Sequence, residues 1–320
     1  MPYIQTKDLT KTFVVRKKKD GHILREKSEV CALDHVSFSV EKGELVGYIG
    51  PNGAGKSTTV KLLCGILTAE SGQATVGGLT PWKNRKEHAR NIGVVFGQRS
   101  QLWWDVPVID SYQLLRDIYR VPEKQYLHRL EELTNALSLQ DFLHTPLRQL
   151  SLGMRMRAEL GGSLLHSPEL LFLDEPTIGL DAVSKLQLRD FLLQENKQHG
   201  TTIMLTTHDM EDISALCQRV MVLGHGKLLF DGSLQNLLNR YDTLRTVHVR
   251  YQAGGKLPEM PVCTVVKQEG DAFIVTYPPK ELSTDRMLSL LQSGGAIAEM
   301  TLHERNIDHM IADMYREMAL

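Results

Sequence analysis

The sequence predicts an α/β chain: a mainly parallel sheet covered by helices, a helical block inserted between its strands, and a small α+β region behind it. Three observations carry that expectation. Short apolar runs recur at Leu45–Ile49, Ile92–Phe96, Leu170–Leu173, Thr202–Thr206 and Val220–Leu223, each the length of a buried strand. Helix-like sequence separates them, which is the alternation of a parallel sheet with crossover helices. Beyond Leu238 the character changes, and Pro258, Pro261, Pro278 and Pro279 interrupt the pattern. At 320 residues the chain has room for two domains, 1–240 and 241–320, and 42% hydrophobic residues suffice for a large core.

The elements follow in order. Tyr3–Lys7 reads as a strand leading into Thr10-Lys-Thr-Phe-Val-Val15. Residues 16–27, RKKKDGHILREK, hold six basic and two acidic residues without apolar periodicity. They read as a solvated insertion loop between two strands; the other reading is a patch for phospholipid or a partner. Ala32–Val40 alternates, with Leu33, Val36, Phe38 and Val40 apolar, as a strand does. Leu45–Ile49 ends in a glycine-rich turn, and Ser57–Leu67 reads as a helix. Val108 to His166 reads as all helix, with Leu127, Leu130, Leu133 and Leu137 on one face, so a helical subdomain is expected over about 99–166. In the rear region Thr243–Tyr251, Val262–Val266 and Ala272–Tyr277 read as strands, and Thr284–Gln292 and Asn306–Met318 as helices. The face made by Ile307, Met310, Ile311, Met314, Tyr315 and Met318 reads as core filler. No internal repeat is visible.

Composition narrows the function. Lysine plus arginine total 37 and aspartate plus glutamate 38, a net charge of −1, so no nucleic-acid partner is expected. No apolar run approaches the ~18–20 residues of a membrane helix, and the opening MPYIQTKDLTKTF has no signal-peptide apolar region. A cytosolic chain is expected, reaching a membrane only through a partner. Cys31, Cys64, Cys217 and Cys263 show no metal-ligand spacing and read as scattered small core residues in a reducing compartment. The histidines, His303 and His309 included, likewise form no metal spacing.

One segment carries the chemistry. Gly50-Pro-Asn-Gly-Ala-Gly-Lys-Ser-Thr58 fits GxxxxGK followed by Ser or Thr, with a buried strand before it and a helix after it. In such a loop the backbone N–H groups of Pro51 to Thr58, proline excepted, wrap phosphate oxygens. The helix N-terminus adds its positive dipole end. This assigns nucleotide contacts to Pro51, Asn52, Gly53, Ala54, Gly55, Lys56, Ser57 and Thr58. Lys56 would reach the β- and γ-phosphates, and the Ser57 hydroxyl would ligate Mg²⁺. Leu170-Leu-Phe-Leu-Asp174-Glu175 is a buried strand ending in two carboxylates. Asp174 suits Mg²⁺ binding, and Glu175 can polarise a water in line with the γ-phosphate.

Four further pieces complete a set. Leu150-Ser-Leu-Gly-Met154 precedes that strand, LDEPTIGLD spans 173–181, and Gln98 and His208 each follow an apolar strand. In this order the chain resembles the nucleotide-binding subunit of ABC transporters, over roughly residues 3–238. The resemblance implies an ATPase core with a P-loop, a mainly parallel sheet, an antiparallel β subdomain and an inserted helical subdomain. It implies that Ser151 and Gly153 bind the γ-phosphate held by a second subunit. Gln98 would contact Mg²⁺ or water, His208 the γ-phosphate, and Asp181 would cross the dimer interface. Phe13 would stack on adenine, although a core phenylalanine fits that position nearly as well. The family pattern is LSGGQ, and Leu152 and Met154 depart from it.

The resemblance also implies partners. One chain cannot complete a site, so two would join head to tail around two ATP molecules. A homodimer is the expectation, and the motifs also allow a heterodimer. Closure on ATP would drive transport through integral membrane permease subunits, placing the chain at the cytoplasmic face of the membrane. The stretch Arg99 to Pro107 resembles that of ATPases serving ABC-2-type export systems. Its Trp103 and Trp104 read either as anchors for the permease or as packing inside the helical subdomain. Two rivals stand beside this reading: a soluble ABC ATPase of translation or DNA repair, and a P-loop kinase. A single P-loop without extended heptads disfavours the first, and a kinase has no use for Ser151 or His208.

Overall fold

The computed structural model describes residues 2–19, 22–97, 99–207, 209–241, 244–252, 255–260 and 262–303, without the side chains of 15–27, 241 and 303. The chain divides into two compact units, one reaching to Ser233 and one from Leu234 onward. The first contains β1 (Ile4–Lys19), β2 (His22–Val40), β3 (Leu45–Ile49), α1 (Lys56–Leu63), β4 (Ser71–Val76), α2 (Arg85–Ala89) and β5 (Ile92–Phe96). It continues with α3 (Val108–Tyr119), α4 (Glu123–Ala136), a 3-10 turn at Leu147–Gln149, α5 (Leu152–Leu164), β6 (Leu170–Asp174) and α6 (Ala182–His199). β7 (Thr202–Thr206), α7 (Met210–Leu216), β8 (Arg219–Gly224) and β9 (Lys227–Ser233) close it.

A six-stranded sheet runs in the order β5-β6-β7-β3-β8-β9. All neighbours are parallel except β9, which pairs antiparallel with β8 at the edge. Strands covered on both faces should be apolar along their whole length. Leu170 to Leu173 and Ile203 to Leu205 are indeed fully buried. β3 lies between β7 and β8, so the glycine-rich turn leaves from the middle of the sheet. A second, antiparallel sheet has the order β2-β1-β4. Its Ile4, Leu9, Leu33 and Val36 share one core with Val46, Tyr48, Leu62 and Phe172.

Several expectations change. Residues 16–19 and 22–27 are not a loop: β1 and β2 continue along them, with Arg16 opposite Lys27 and Lys19 opposite His22. The six basic residues of this stretch break any apolar alternation, so the periodicity test passes over it. The helix expected to Leu67 stops at Leu63. The helical block resolves into α3, α4 and α5, with α4 burying Tyr126, Arg129 and Leu133 while Leu127 stays 55% exposed. Arg129 is inside because Glu195 of α6 accepts from its guanidinium at 2.6 Å, offsetting the cost of burying the charge. Cys31 is exposed rather than a core residue, and all four cysteines are free. β4, β9 and the last strand of the second unit have no counterpart in the expectations.

The second unit holds α8 (Leu234–Tyr241), β10 (Arg245–Tyr251), β11 (Thr264–Glu269), β12 (Ala272–Tyr277), α9 (Thr284–Ser293) and β13 (Ile297–His303). Its antiparallel sheet has the order β11-β12-β10-β13. Val247, Val249, Phe273, Val275 and Tyr277 from one face bury Met287 and Leu291 of α9. The helix expected at Asn306–Met318 lies outside the described residues. Among the described residues no helix is long and apolar enough to cross a membrane.

Candidate functional site

The turn between β3 and α1 is built by glycine. A Cβ on Gly50 would lie 2.3 Å from the Leu223 carbonyl oxygen, and one on Gly55 2.3 Å from that of Ala32. Gly53 and Gly55 hold φ values of +84° and +109°, which side-chain-bearing residues rarely adopt. The space beside Gly53 is open to 4 Å, so the loop is tight against the protein and free on its other side. Lys56 opens α1 and is only 6% exposed. Its Nζ donates to the carbonyls of Gly50 at 2.7 Å and Pro51 at 3.2 Å, folding the cation back over the loop. Burial lowers the Lys56 ammonium from its ordinary range, while Glu175 and Asp174 pull the other way. A cation held so, among backbone N–H donors at a helix start, suits a phosphate chain.

β6 lies next to β7 and carries the carboxylates to the same end of the sheet. Asp174 Oδ1 accepts from Ser57 Oγ at 3.2 Å and from Thr206 Oγ1 at 2.5 Å. Thr206 was not anticipated; a polar residue closing an apolar parallel strand is the signal that marks it. Glu175 sits at φ +56°, and its N–H donates to the Thr206 carbonyl at 2.9 Å. Gly97 backs the same turn, where a Cβ would lie 2.3 Å from the Glu175 oxygen. A cleft of about 310 Å³ is lined by Ser57, Lys61, Phe96, Gly97, Asp174 and Glu175. The adjacent oxygens of Ser57 and Asp174 are the hard donors that Mg²⁺ takes. Among the described residues no cluster of three or more His, Cys, Asp or Glu could hold a metal by itself. Gln98 and His208 lie outside the described residues.

A second constellation forms away from the lining of that cleft. Ser151 caps α5, its Oγ accepting from the Met154 N–H at 3.3 Å. Asp181 caps α6, accepting from the Ser184 N–H and Oγ, both at 2.9 Å. Those bonds hold the Asp181 carboxyl below the usual carboxylate range. Gly153 joins the two caps: a Cβ there would meet Ser184 Oγ at 2.4 Å. Leu152, in place of the family's glycine, lies over Gly179 at φ +72°. Trp103 and Trp104 are 42% and 49% exposed, which rules out packing of both inside the helical block. The Arg155 guanidinium of α5 sits 4.5 Å from the Trp104 ring. Phe13, partly buried opposite Val30, has Lys11 Nζ 5.5 Å from its ring.

Comparison with known proteins gives the family. Residues 33–178 match the family described as ABC transporter. The ABC transporter ATP-binding protein NatA of Bacillus subtilis is 32% identical over 232 residues, covering 72% of this chain and 93% of NatA. The chain belongs to the ABC transporter family. A fluoroquinolones export ATP-binding protein of Mycobacterium tuberculosis is 36% identical over 225 residues, covering 70% of this chain and 72% of that protein. A solved ATP-binding subunit of an ABC transporter superposes with a TM-score of 0.63 at 25% identity, over 75% of this chain and 93% of that one. The first unit is thus an ABC ATPase, and its relatives include export-type proteins.

Proposed function

We propose that this chain hydrolyses ATP at the cleft between Ser57 and Glu175 and so powers export through separate ABC-2-type permease subunits at the cytoplasmic face of a membrane. One observation carries the reading: Lys56, Ser57, Asp174 and Glu175 converge at the same end of the parallel sheet, where open α/β sheets bind ligands. The loop N–H groups of residues 52–58 and the Lys56 ammonium bind the triphosphate. Ser57 and Asp174 would hold Mg²⁺, with Gln98 completing the set. When bound, that ion neutralises charge on the β- and γ-phosphates. Glu175 accepts a hydrogen bond from the attacking water and orients it in line, and His208 contacts the γ-phosphate. Ser151, Gly153 and Asp181 of a second copy close over the nucleotide, a helix N-terminus again meeting an anion. A homodimer completes two such sites. Phe13 stacks on the adenine. The second unit serves as an accessory or regulatory domain. The export-type relative and the exposed tryptophans after residue 98 support the transport reading.

Glu175→Gln tests it. The variant should bind ATP with unchanged affinity and lose at least about a hundredfold in turnover, as expected for removal of a group that acts on the reacting water. It should accumulate an ATP-bound dimer on size-exclusion chromatography. Wild-type turnover in that variant would refute the assignment.

A further inference from the structure

Glu175 is a residue with a side chain held at φ +56°. Such a conformation persists only where the surroundings over-determine it. On its upstream side the restraint is plain: its N–H donates to Thr206 and Gly97 backs it. On its downstream side the chain turns through Pro176 to Thr177, which is 4% exposed. The Thr177 hydroxyl donates to Asp212 Oδ2 at 2.5 Å. Asp212, in α7, is fully buried. Its other oxygen accepts from Arg189 Nε of α6 at 2.7 Å, which supplies the countercharge. Asp209, also at the head of α7, accepts from Lys185 Nζ of α6 at 2.5 Å. α7 begins two positions beyond residue 208. One buried carboxylate therefore fastens the Glu175 turn to the helix that follows residue 208.

We propose that Thr177, through its bond to Asp212, is a positioning residue that keeps the Glu175 turn in its left-handed conformation and registers it with the head of α7. This rests on the reading of Glu175 as the group that orients the attacking water. Misplacement of a positioning contact by about 1 Å costs on the order of a hundredfold in rate, while a bond remote from the phosphates leaves binding untouched. The bond to Asp212 needs only the donating hydroxyl, so serine, which keeps it, keeps the rate.

Steady-state ATP hydrolysis, ATP binding and melting temperature of the full chain are compared for wild type, Thr177→Val, Thr177→Ser and Glu175→Gln. Thr177→Val should lower kcat at least about tenfold with KM within about twofold, and Thr177→Ser should restore most of it. In the Glu175→Gln background Thr177→Val should change the residual rate by less than about twofold, as coupled residues do. Unchanged kcat in Thr177→Val overturns the proposal, as does an equal loss in Thr177→Ser. If Thr177→Val does not fold, Thr177→Ala carries the same expectation; failure of both to fold marks the contact as purely structural and also overturns it. Normal turnover in Glu175→Gln would instead sink the underlying reading of that glutamate.

Discussion

Gly53 and Gly55 stand in one loop but meet different surroundings. Both need positive φ, yet a Cβ on Gly53 enters open space while one on Gly55 strikes the Ala32 backbone. Alanine at position 53 costs the left-handed penalty alone, about 1–2 kcal/mol. Gly55→Ala adds a backbone clash that no rotamer change relieves, and it displaces the start of α1. Its melting temperature should fall further than that of Gly53→Ala, and its ATP affinity should drop. Equal melting temperatures for the two variants would contradict this account. The spacing of Gly50, Gly55, Lys56 and Ser57 was legible in the sequence because the loop closes locally. Thr206 and Asp212 were not, since their partners lie 32 and 35 positions away.

At the scale of elements, the helices are held by buried polar contacts that periodicity does not show. Glu159 of α5 is 4% exposed and accepts from Ser100 Oγ and from the Gln101 N–H at 3.1 Å. Burial raises its carboxyl above the usual range against those bonds. His166, just after α5, stacks on Tyr119 of α3 at 3.8 Å between ring centroids, and its Nε2–H donates to the Ile92 carbonyl at 3.0 Å. Burial pushes the His166 imidazole down from 6.5 to about 4. Between those values the unfolded chain binds the proton that the folded chain does not. Stability contributed by His166 is therefore complete above about pH 6.5 and is lost as pH falls toward 4. His166→Phe should keep the stack and show a shallower loss of melting temperature between pH 6.5 and 4 than wild type. An unchanged pH slope would show that His166 is not the group responsible.

At the scale of the molecule, the proposed site is divided between two constellations. Ser57, Asp174 and Glu175 line the cleft beside Lys56, whereas Ser151, Gly153 and Asp181 gather at the caps of α5 and α6. Leu152, Val183 and Leu186 beside those caps are exposed, an apolar surface suited to a second copy. Ser151→Arg places a bulky cation at the cap. It should leave ATP binding to the monomer within about twofold while abolishing ATP-induced dimer formation, as added bulk at a close-packed interface core does. Sedimentation of the Glu175→Gln protein with and without Ser151→Arg reads this out, and an undiminished dimer would refute it.

The sequence by itself determined the strand runs of the parallel sheet, the phosphate loop and the two carboxylates at the end of β6. These are local: apolar runs of strand length, glycines at a tight turn and a polar end need no distant partner to be recognised. It did not determine that residues 16–19 and 22–27 continue as paired strands, because their charged sequence carries no apolar periodicity. Nor did it show that Arg129 faces inward, that Leu127 faces out, or that both tryptophans stay exposed. Those outcomes belong to tertiary structure. A buried ion takes its place only where a counter-ion from another element meets it, and whether an apolar side chain is covered depends on which element lies over it. The same reason separates Glu175, visible at the end of its strand, from the Thr177–Asp212 bond on which its conformation depends.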